Sequence, residues 1–511
     1  MKHKPNFVFI HTDQQRADCL GIEGRRKGLY TPNLDFLAVS GMRFSAAYAT
    51  TPVCIPQRLT FLSGQTASMH GVLGNTGIPY FPFETTLPSE LSKGGYQTAL
   101  VGRTFHTYPF DHPYGFEYYM PGDPSSEFKD STDPFFTFLR EHAPEGSGGY
   151  YGNGTDNNSY IGAPFHLPNE LHHTQWTTER ALEFLQVRDS DRPFLLTVGY
   201  YAPHGPQNPP AEFFDRYYYN QDLDNPVIGE WAIPPVANWS PTRSSYVDLS
   251  GELLRSCRAG YYGNITFIDL QLGRIINRVR QIPNTYIIFT SDHGEMLGDH
   301  YLYHKAQPYE GAAHIPFLIA GPDVSPMQVC DKTIGWHDIM PTMLDLAGLP
   351  IPDHVDGQSL APLLQNPSTS EWREYLHGEC SRPMSPPKLP GQATEGNMAY
   401  ETGFHYLTDG KTKYIWHTQS GREQLFDLMN DPHERFDLSA KAEYANELTL
   451  WRGRLIDEIK DRPEGFTDGE RLIAGRKYAS LLPKAQEIVD RRLEEGYAIA
   501  YYQNRKTTKK T

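Results

Sequence analysis

The feature that most constrains this chain is a set of short apolar runs, each followed at once by residues that carry chemistry. The runs are NFVFI (6–10), QTALV (97–101), PFLLTVGY (193–200), TYIIFTS (285–291) and IPFLIAG (315–321). Each is too short for a typical helix and too uniformly apolar for a half-solvated strand. Each therefore reads as a parallel strand buried on both faces. Amphipathic patterns lie between them. In NITFIDLQLGRIINRVRQ (264–281), residues Ile265, Ile268, Leu272, Ile275, Ile276 and Val279 share one stripe. DPFFTFLREH (133–142) and TTERALEFLQVR (177–188) read as helices too. Strands alternating with helices predict an α/β fold, with a large, mostly parallel or mixed sheet sandwiched by helices.

The residues after the runs are the informative ones. The first run leads into Asp13-Gln14-Gln15, and the second into Gly102-Arg103 with His106 close behind. The third leads into Tyr201-Ala-Pro-His204 and the fourth into Asp292-His293-Gly294. Open α/β sheets bind ligands beyond the carboxyl ends of their strands. These strands are expected to bring Asp, Arg, His and Asp-His to one edge.

From about Ser370 the pattern changes. SRPMSPPKLPGQATEG (381–396) reads as a loop or linker. Short β-like runs with Asp-Gly and Asn-Asp-Pro turns then predict a small antiparallel sheet. LPKAQEIVDRRLEEGYAIAYYQ reads as a closing helix. The expected division is a catalytic α/β domain over 1–370, an α+β subdomain over 371–465 and a helical tail over 466–511. Residues 121–170, rich in Gly, Pro, Asn and Ser, read as a surface insertion near the mouth of the site.

Composition narrows the partners. The chain has 511 residues, enough for a large core, and a net charge of −15, which argues against nucleic acid. The basic stretch NRKTTKK is short. The apolar run Phe7–Ile10 is too short for a signal-peptide core or a membrane span, so a cytoplasmic protein with no membrane partner is expected. Cys19, Cys54, Cys257, Cys330 and Cys380 are scattered and odd in number. That pattern argues for a reducing compartment over a disulfide framework. The N-x-S/T triplets at Asn153, Asn157, Asn238 and Asn264 then read as accidental.

One cysteine stands apart. In TPVCIPQRLTFLSG (51–64), Pro56 suits the first turn of a helix. Cys54 would then sit at a helix N-terminus, where backbone N–H groups and the dipole favour anions. A free cysteine is most often a buried small hydrophobe, and the residues around this one argue for more.

Cys54-Ile55-Pro56-Gln57-Arg58 followed by Ser63-Gly64, taken with TSDHGEMLGDHYLYHK (290–305), resembles the sulfatase family of the alkaline-phosphatase superfamily. The likeness runs from the first strand to QLFDLMNDPHERFDL (424–438), with Ser-Gly in place of the family's usual Thr-Gly. In that family Cys-x-Pro-x-Arg is read by a modifying enzyme that oxidises the cysteine to formylglycine. The resemblance implies an alkaline-phosphatase-like fold and hydrolysis of a sulfate ester, of a carbohydrate or an aryl alcohol, by the formylglycine hydrate. A thiol would give a thiosulfate-like adduct with no easy exit. The hydrate attacks with one hydroxyl and expels sulfate by reforming the aldehyde.

The resemblance also implies one divalent metal, held by Asp13, Gln14, Asp292, His293 and the modified Cys54. Gln14 stands where many members carry a second Asp. Calcium is the family's usual ion, and the amide and imidazole leave Mn²⁺, Mg²⁺ and Zn²⁺ open. Arg58 would balance charge at the modified side chain. GGYQTALVGRTFH (94–106) resembles the family's G-Y-x-T…G-K-x-H, with Arg103 for Lys and a spacing to His106 like that of iduronate sulfatase. Arg103 would hold the anion without acting as an acid, and His106 would be the base that drives collapse of the hydrate. His204 and Lys305 would touch the sulfate and the leaving oxygen, one of them as general acid. His300, His304 and His314 read as structural or substrate-shell residues.

The alternative on the same scaffold is a phosphonate monoester or phosphodiester hydrolase. Such enzymes share the Asp-Gln and Asp-His pattern but carry neutral polar residues at the Arg103/His106 loop. A catalytically silent anion- or glycan-binding protein is a third reading. The implied partners are a small sulfated substrate and the modifying enzyme, with a homo-oligomer left open.

Overall fold

Along β1 (Asn6–Asp13), Phe7 and Phe9 enter one apolar cluster while Val8 and Ile10 enter another. This alternation is the pleat of a strand buried on both faces, and it organises the computed structural model, which describes residues 4–75, 85–105, 112–124, 133–235, 245–382 and 401–494. The other strands are β2 (Met42–Phe44), β3 (Ala47–Tyr48), β4 (Gln97–Gly102), β5 (Tyr118–Pro121), β6 (Phe194–Pro203), β7 (Thr285–Ser291), β8 (Phe317–Ala320), β9 (Gln328–Cys330) and β10 (Ile334–Gly335). A second set is β11 (Leu376–Ser381), β12 (Gly403–Thr408), β13 (Thr412–His417) and β14 (Glu423–Asp427).

The large sheet has the order β5-β4-β6-β1-β7-β8-β2-β9, with β4, β6, β1 and β7 parallel at its centre. The helix Cys54–Ser63 and the helix Ile339–Leu346 cover the Phe7/Phe9 face through Leu59, Phe61, Met340 and Met343. Pro32–Ser40, His173–Val187 and Gly251–Val279 cover the other face through Leu34, Phe184, Ile268, Leu272 and Ile275.

Two expectations change here. The run 315–321 becomes β8, but it pairs antiparallel with β7, not parallel. Between them lie only a 3₁₀ turn, Asp299–Tyr301, and a four-residue helix, Glu310–Ala313. With no crossover to carry the chain to the opposite edge, β8 enters where β7 ends and runs back. The helix read from residue 264 begins at Gly251. Its first half carries Gly260 and Gly263, which blur the apolar stripe. Both lie against other backbone, a Cβ on Gly260 falling 2.5 Å from the Gln207 carbonyl oxygen. Ile265 packs in a neighbouring cluster with Tyr160 and Phe214.

The 121–170 stretch has its own small core of Phe135, Leu139, Tyr150, Phe165 and Trp176. Its helix Pro134–His142 starts at Asp133, which accepts the N–H groups of Phe135 (2.8 Å) and Phe136 (3.1 Å). The closing helix is seen as Pro483–Glu494. Most of the 381–396 segment and the basic tail lie outside the described residues. No helix among the described residues is long and apolar enough to cross a membrane.

The second set of strands forms an antiparallel sheet, β11-β12-β13-β14. One face, with Leu407, Tyr414, Trp416 and Leu425, packs on Trp451, Leu455 and Ile459 of the helix Ala445–Ile459. The other, with Phe404, Tyr406, Ile415 and Phe426, packs on Met296, Leu302 and Tyr309, in the loop after β7. Lys413 of β13 ties the two together, donating to the Pro308 carbonyl (3.0 Å) and the Glu310 carboxylate (2.5 Å).

Glu379 of β11 gives the first prediction. It is buried, each of its oxygens accepts from Arg462 Nη1 at 2.7 Å, and Oε2 also accepts the Tyr478 hydroxyl. Burial opposes its charge, but Arg462 prevails and holds the carboxyl down at about 2. The folded state binds this proton less readily than the unfolded chain. The stabilisation is therefore full above the ordinary glutamate range and is lost as pH falls towards 2, amounting to about 3 kcal/mol at neutral pH. Urea unfolding should place Glu379→Gln well below the parent at pH 7, with the gap closing as pH falls from 5 to 3. A gap independent of pH would show that the ion pair is not its source.

Candidate active site

Four parallel strands end at one edge of the large sheet, and each leaves a functional side chain there: Asp13 after β1, Arg103 after β4, His204 after β6, and Asp292-His293 after β7. The helix Cys54–Ser63 points its N-terminus into the same place. Val53 is extended, Cys54 opens the first turn, and the Ile55 N–H donates to Asn75 Oδ1 at 3.0 Å. Asp13, Cys54, Arg103, His204, Asp292 and His293 are all buried.

Asp13, Cys54, Asp292 and His293 offer ligand atoms that all lie within 4.8 Å of one another. Cys54 Sγ is 3.2 Å from His293 Nε2 and 3.9 Å from Asp13 Oδ1. His293 Nε2 is 3.6 Å from both Asp13 Oδ1 and Asp292 Oδ1. His293 Nδ1 donates to the Gly294 carbonyl at 3.0 Å, so Nε2 is the nitrogen that faces the cluster.

The outer carboxylate oxygens are taken by arginine. Arg58, wholly buried, donates to Asp13 Oδ2 (2.7 Å), to Asp292 Oδ2 (2.9 and 3.0 Å) and to the Thr104 carbonyl. Arg103 Nε donates to Asp13 Oδ2 at 3.0 Å. Asp292 Oδ1 also accepts the backbone N–H groups of His293 (2.9 Å) and Gln14 (3.1 Å). Burial would raise the Asp13 pKa, but Arg103 and Arg58 outweigh it and hold the group ionised, well below the usual carboxylate range. Two carboxylates with oriented inner oxygens, an imidazole nitrogen and a fourth side chain at the helix start suit one divalent cation.

Cys54 is electrostatically unusual. Burial and Asp13 oppose its ionisation, yet Lys305 and His293 prevail, and the thiol falls to about 7. Gln14 Oε1 accepts from Lys305 Nζ at 2.8 Å, and its Nε2 donates to Glu295. Its backbone is left-handed, with φ 77°.

Arg103 is engaged by residues of the protein itself. Besides Asp13 it pairs with Asp123 and stacks on the Tyr201 ring at 4.3 Å. These contacts hold Arg103 against Asp13. His204 Nδ1 faces the Gly205 carbonyl at 2.9 Å, leaving Nε2 as its remaining nitrogen. Burial, then Lys305, holds its pKa well below the usual imidazole value. His106 lies outside the described residues, and the iduronate-sulfatase-like spacing with it. His300, His304 and His314 do not join the cluster; His314 pairs with Glu310 at 2.7 Å.

Sequence reasoning passed over Asp123, Asn75 and Glu295. The first two sit in irregular segments with no pattern to mark them. Glu295, two residues after His293, was in plain view within DHGE, but nothing in a sequence shows that its carboxylate turns back towards residue 14.

The Sulfatase family profile matches residues 5–349 of the chain. Over 503 residues the chain is 36% identical to an arylsulfatase of Clostridium perfringens, an alignment covering 94% of this chain and 99% of the relative. Over 533 residues it is 30% identical to the multifunctional alkaline phosphatase superfamily protein PehA of Trinickia caryophylli, covering 91% and 99%. Among solved structures, the phosphonate monoester hydrolase of Agrobacterium radiobacter superposes with a TM-score of 0.72 at 24% identity, covering 89% of this chain and 95% of that one. That likeness is one of fold.

Proposed function

The chain belongs to the sulfatase family and is a sulfuric ester hydrolase, and we propose that it works through formylglycine made from Cys54, with one divalent cation held by Asp13, Gln14, Asp292, His293 and the modified side chain. The observation that carries this reading is the convergence of Asp13, Cys54, Asp292 and His293 at a helix N-terminus. Formylglycine supplies, as its hydrate, an oxygen nucleophile, and the cation supplies a Lewis acid beside it.

The chain's own residues do the rest. Arg58 and Arg103 hold Asp13 with Oδ1 turned inward. Arg103 acts through Asp13, since Asp123 and Tyr201 already occupy its other side. Lys305 carries N–H donors at the edge of the cluster and is assigned the proton for the leaving oxygen. His204, with Nδ1 committed to Gly205, offers Nε2 to the sulfate side of the pocket. His106 keeps its role as the base for collapse of the hydrate. The cation is assigned as calcium, with manganese as the alternative that the amide–imidazole pair favours. The substrate is a small sulfated compound, a carbohydrate sulfate or an aryl sulfate.

The same Gln14/His293 pair supports a second reading, a phosphonate monoester or phosphodiester hydrolase. A side-by-side assay separates the two. Protein co-produced with a formylglycine-generating enzyme should turn over an aryl sulfate at least about tenfold faster, in kcat/KM, than the matching aryl phosphonate, a gap of about 1.4 kcal/mol in transition-state stabilisation. A preference for the phosphonate, with manganese recovered in the protein by elemental analysis, would reverse the order of the readings.

A further inference from the structure

Gln14 sits between two neighbours whose chemistry leaves its amide one orientation. Lys305 Nζ can only donate, and it lies 2.8 Å from Gln14 Oε1. The Glu295 carboxylate accepts from Gln14 Nε2. Turned over, the amide would present its NH₂ to an ammonium and its oxygen to a carboxylate, losing both bonds. The Gln14 backbone is pinned as well: its N–H donates to Asp292 Oδ1 (3.1 Å), and its carbonyl accepts from the Tyr261 hydroxyl (2.7 Å). These bonds hold a non-glycine residue in the left-handed region.

Glu295 is held just as firmly. It is wholly buried, and its Oε1 accepts the N–H groups of Leu297 (2.9 Å) and His304 (2.5 Å). Arg16 Nη1 ties down the Glu295 and Met296 carbonyls at 2.8 and 3.1 Å. One carboxylate therefore fixes the amide next to Asp13 with one oxygen. With the other it fixes the loop that carries Lys305.

We infer that Glu295 is a positioning residue, which holds the Gln14 amide with its oxygen on the Lys305 side and so sets the metal affinity of the site. The inference rests on the reading of Gln14 as a metal ligand. Glu295 acts through Gln14 and touches no reacting atom.

Calcium and manganese binding to the full-length chain, measured by calorimetric titration alongside the melting temperature in chelator, tests it. In Glu295→Gln the backbone N–H groups of Leu297 and His304 claim the only side-chain oxygen. The new NH₂ then confronts Gln14 Nε2, and affinity should fall about 10- to 100-fold. Gln14→Glu alone sets a second carboxylate against Glu295 and should also weaken binding. The exchange Gln14→Glu/Glu295→Gln restores a donor–acceptor pair with the roles reversed, and affinity should return to within a few-fold of the parent. Should Glu295→Gln fail to fold, the exchange variant is decisive, and its failure as well would mean a purely structural carboxylate. Parent-like affinity in Glu295→Gln, or Gln14→Glu binding more tightly than the exchange, overturns the role of Glu295 alone. A parent chain that binds neither ion overturns the metal-site reading and this inference with it.

Discussion

Cys54→Ala should abolish sulfate-ester hydrolysis, lowering kcat/KM by about 10⁴-fold or more, and should leave the protein folded. The size of the loss follows from what the residue does, not from how it packs. Cys54 Sγ touches His293 and Asp13 and makes no apolar anchor. Alanine at this position keeps the first turn of the helix Cys54–Ser63, since alanine is the best helix former and the cap geometry comes from the extended Val53. The variant loses only the atom that becomes the nucleophile. Lys305 and His204 would still bind and orient an anion, but binding without attack gives no turnover. The tryptic peptide Phe44–Arg58 contains Cys54, so its mass tells thiol from aldehyde directly. Activity should scale with the aldehyde fraction across preparations made with more or less of the modifying enzyme. Full activity in protein whose peptide is entirely thiol would end the formylglycine proposal, as would an alanine variant that keeps more than a trace of turnover. A collapse in melting temperature would instead show that the thiol holds the helix start in place.

The difference between a readable and an unreadable feature is well illustrated by neighbouring elements. β1, β4, β6 and β7 were legible because burial on both faces forces an unbroken apolar run, and parallel pairing sends their chemistry to one edge. β8 was legible as a strand but not in its direction, since an apolar run reads the same either way and only the lack of a crossover decides. β2, β3, β9 and β10, of two or three residues each, carry no period to read. At the site, Asp13, Arg103, His204, Asp292 and His293 follow strand ends and could be picked out by position. What could not be read was how each charge is spent. Arg103 reads as a cation for the substrate, and the structure adds Asp123 and Tyr201 as its partners. Gln14 looks like a weakened Asp until Glu295 and Lys305 are seen to fix its amide. These are partnerships between distant segments, up to 291 residues apart in the chain, and no local pattern encodes them.

Arg58 is where site and stability meet, and its removal should carry the largest cost to the fold. Its guanidinium is wholly buried and forks across Asp13 and Asp292 while its far nitrogen reaches the Thr104 carbonyl. Breaking a buried charge network by deleting one partner costs about 3–5 kcal/mol, because the charges left behind have lost both water and counter-charge. Arg58→Ala leaves Asp13 with Arg103, and Asp292 with only backbone donors and whatever cation is bound. The loss should therefore be greatest in chelator. Added calcium or manganese should recover part of it, since an ion that binds only the folded state stabilises it by RT ln(1 + [L]/Kd). Arg58→Lys keeps the charge but cannot fork across two carboxylates and a carbonyl at once. It should lose about 1.5–3 kcal/mol, the worth of charged hydrogen bonds left unmade. Denaturant unfolding of the parent and both variants, with chelator and with each metal, reads all of these. Parent-like stability of Arg58→Ala in chelator would mean that Asp13 and Asp292 are not both ionised, and the charge balance assigned to this site would have to be redrawn. A metal-independent loss of the same size would place the cost in packing around the helix Cys54–Ser63. The expected pattern, a deep loss in chelator that shrinks with metal, ties the arginine of the Cys-x-Pro-x-Arg segment to the cation that the same segment helps to hold.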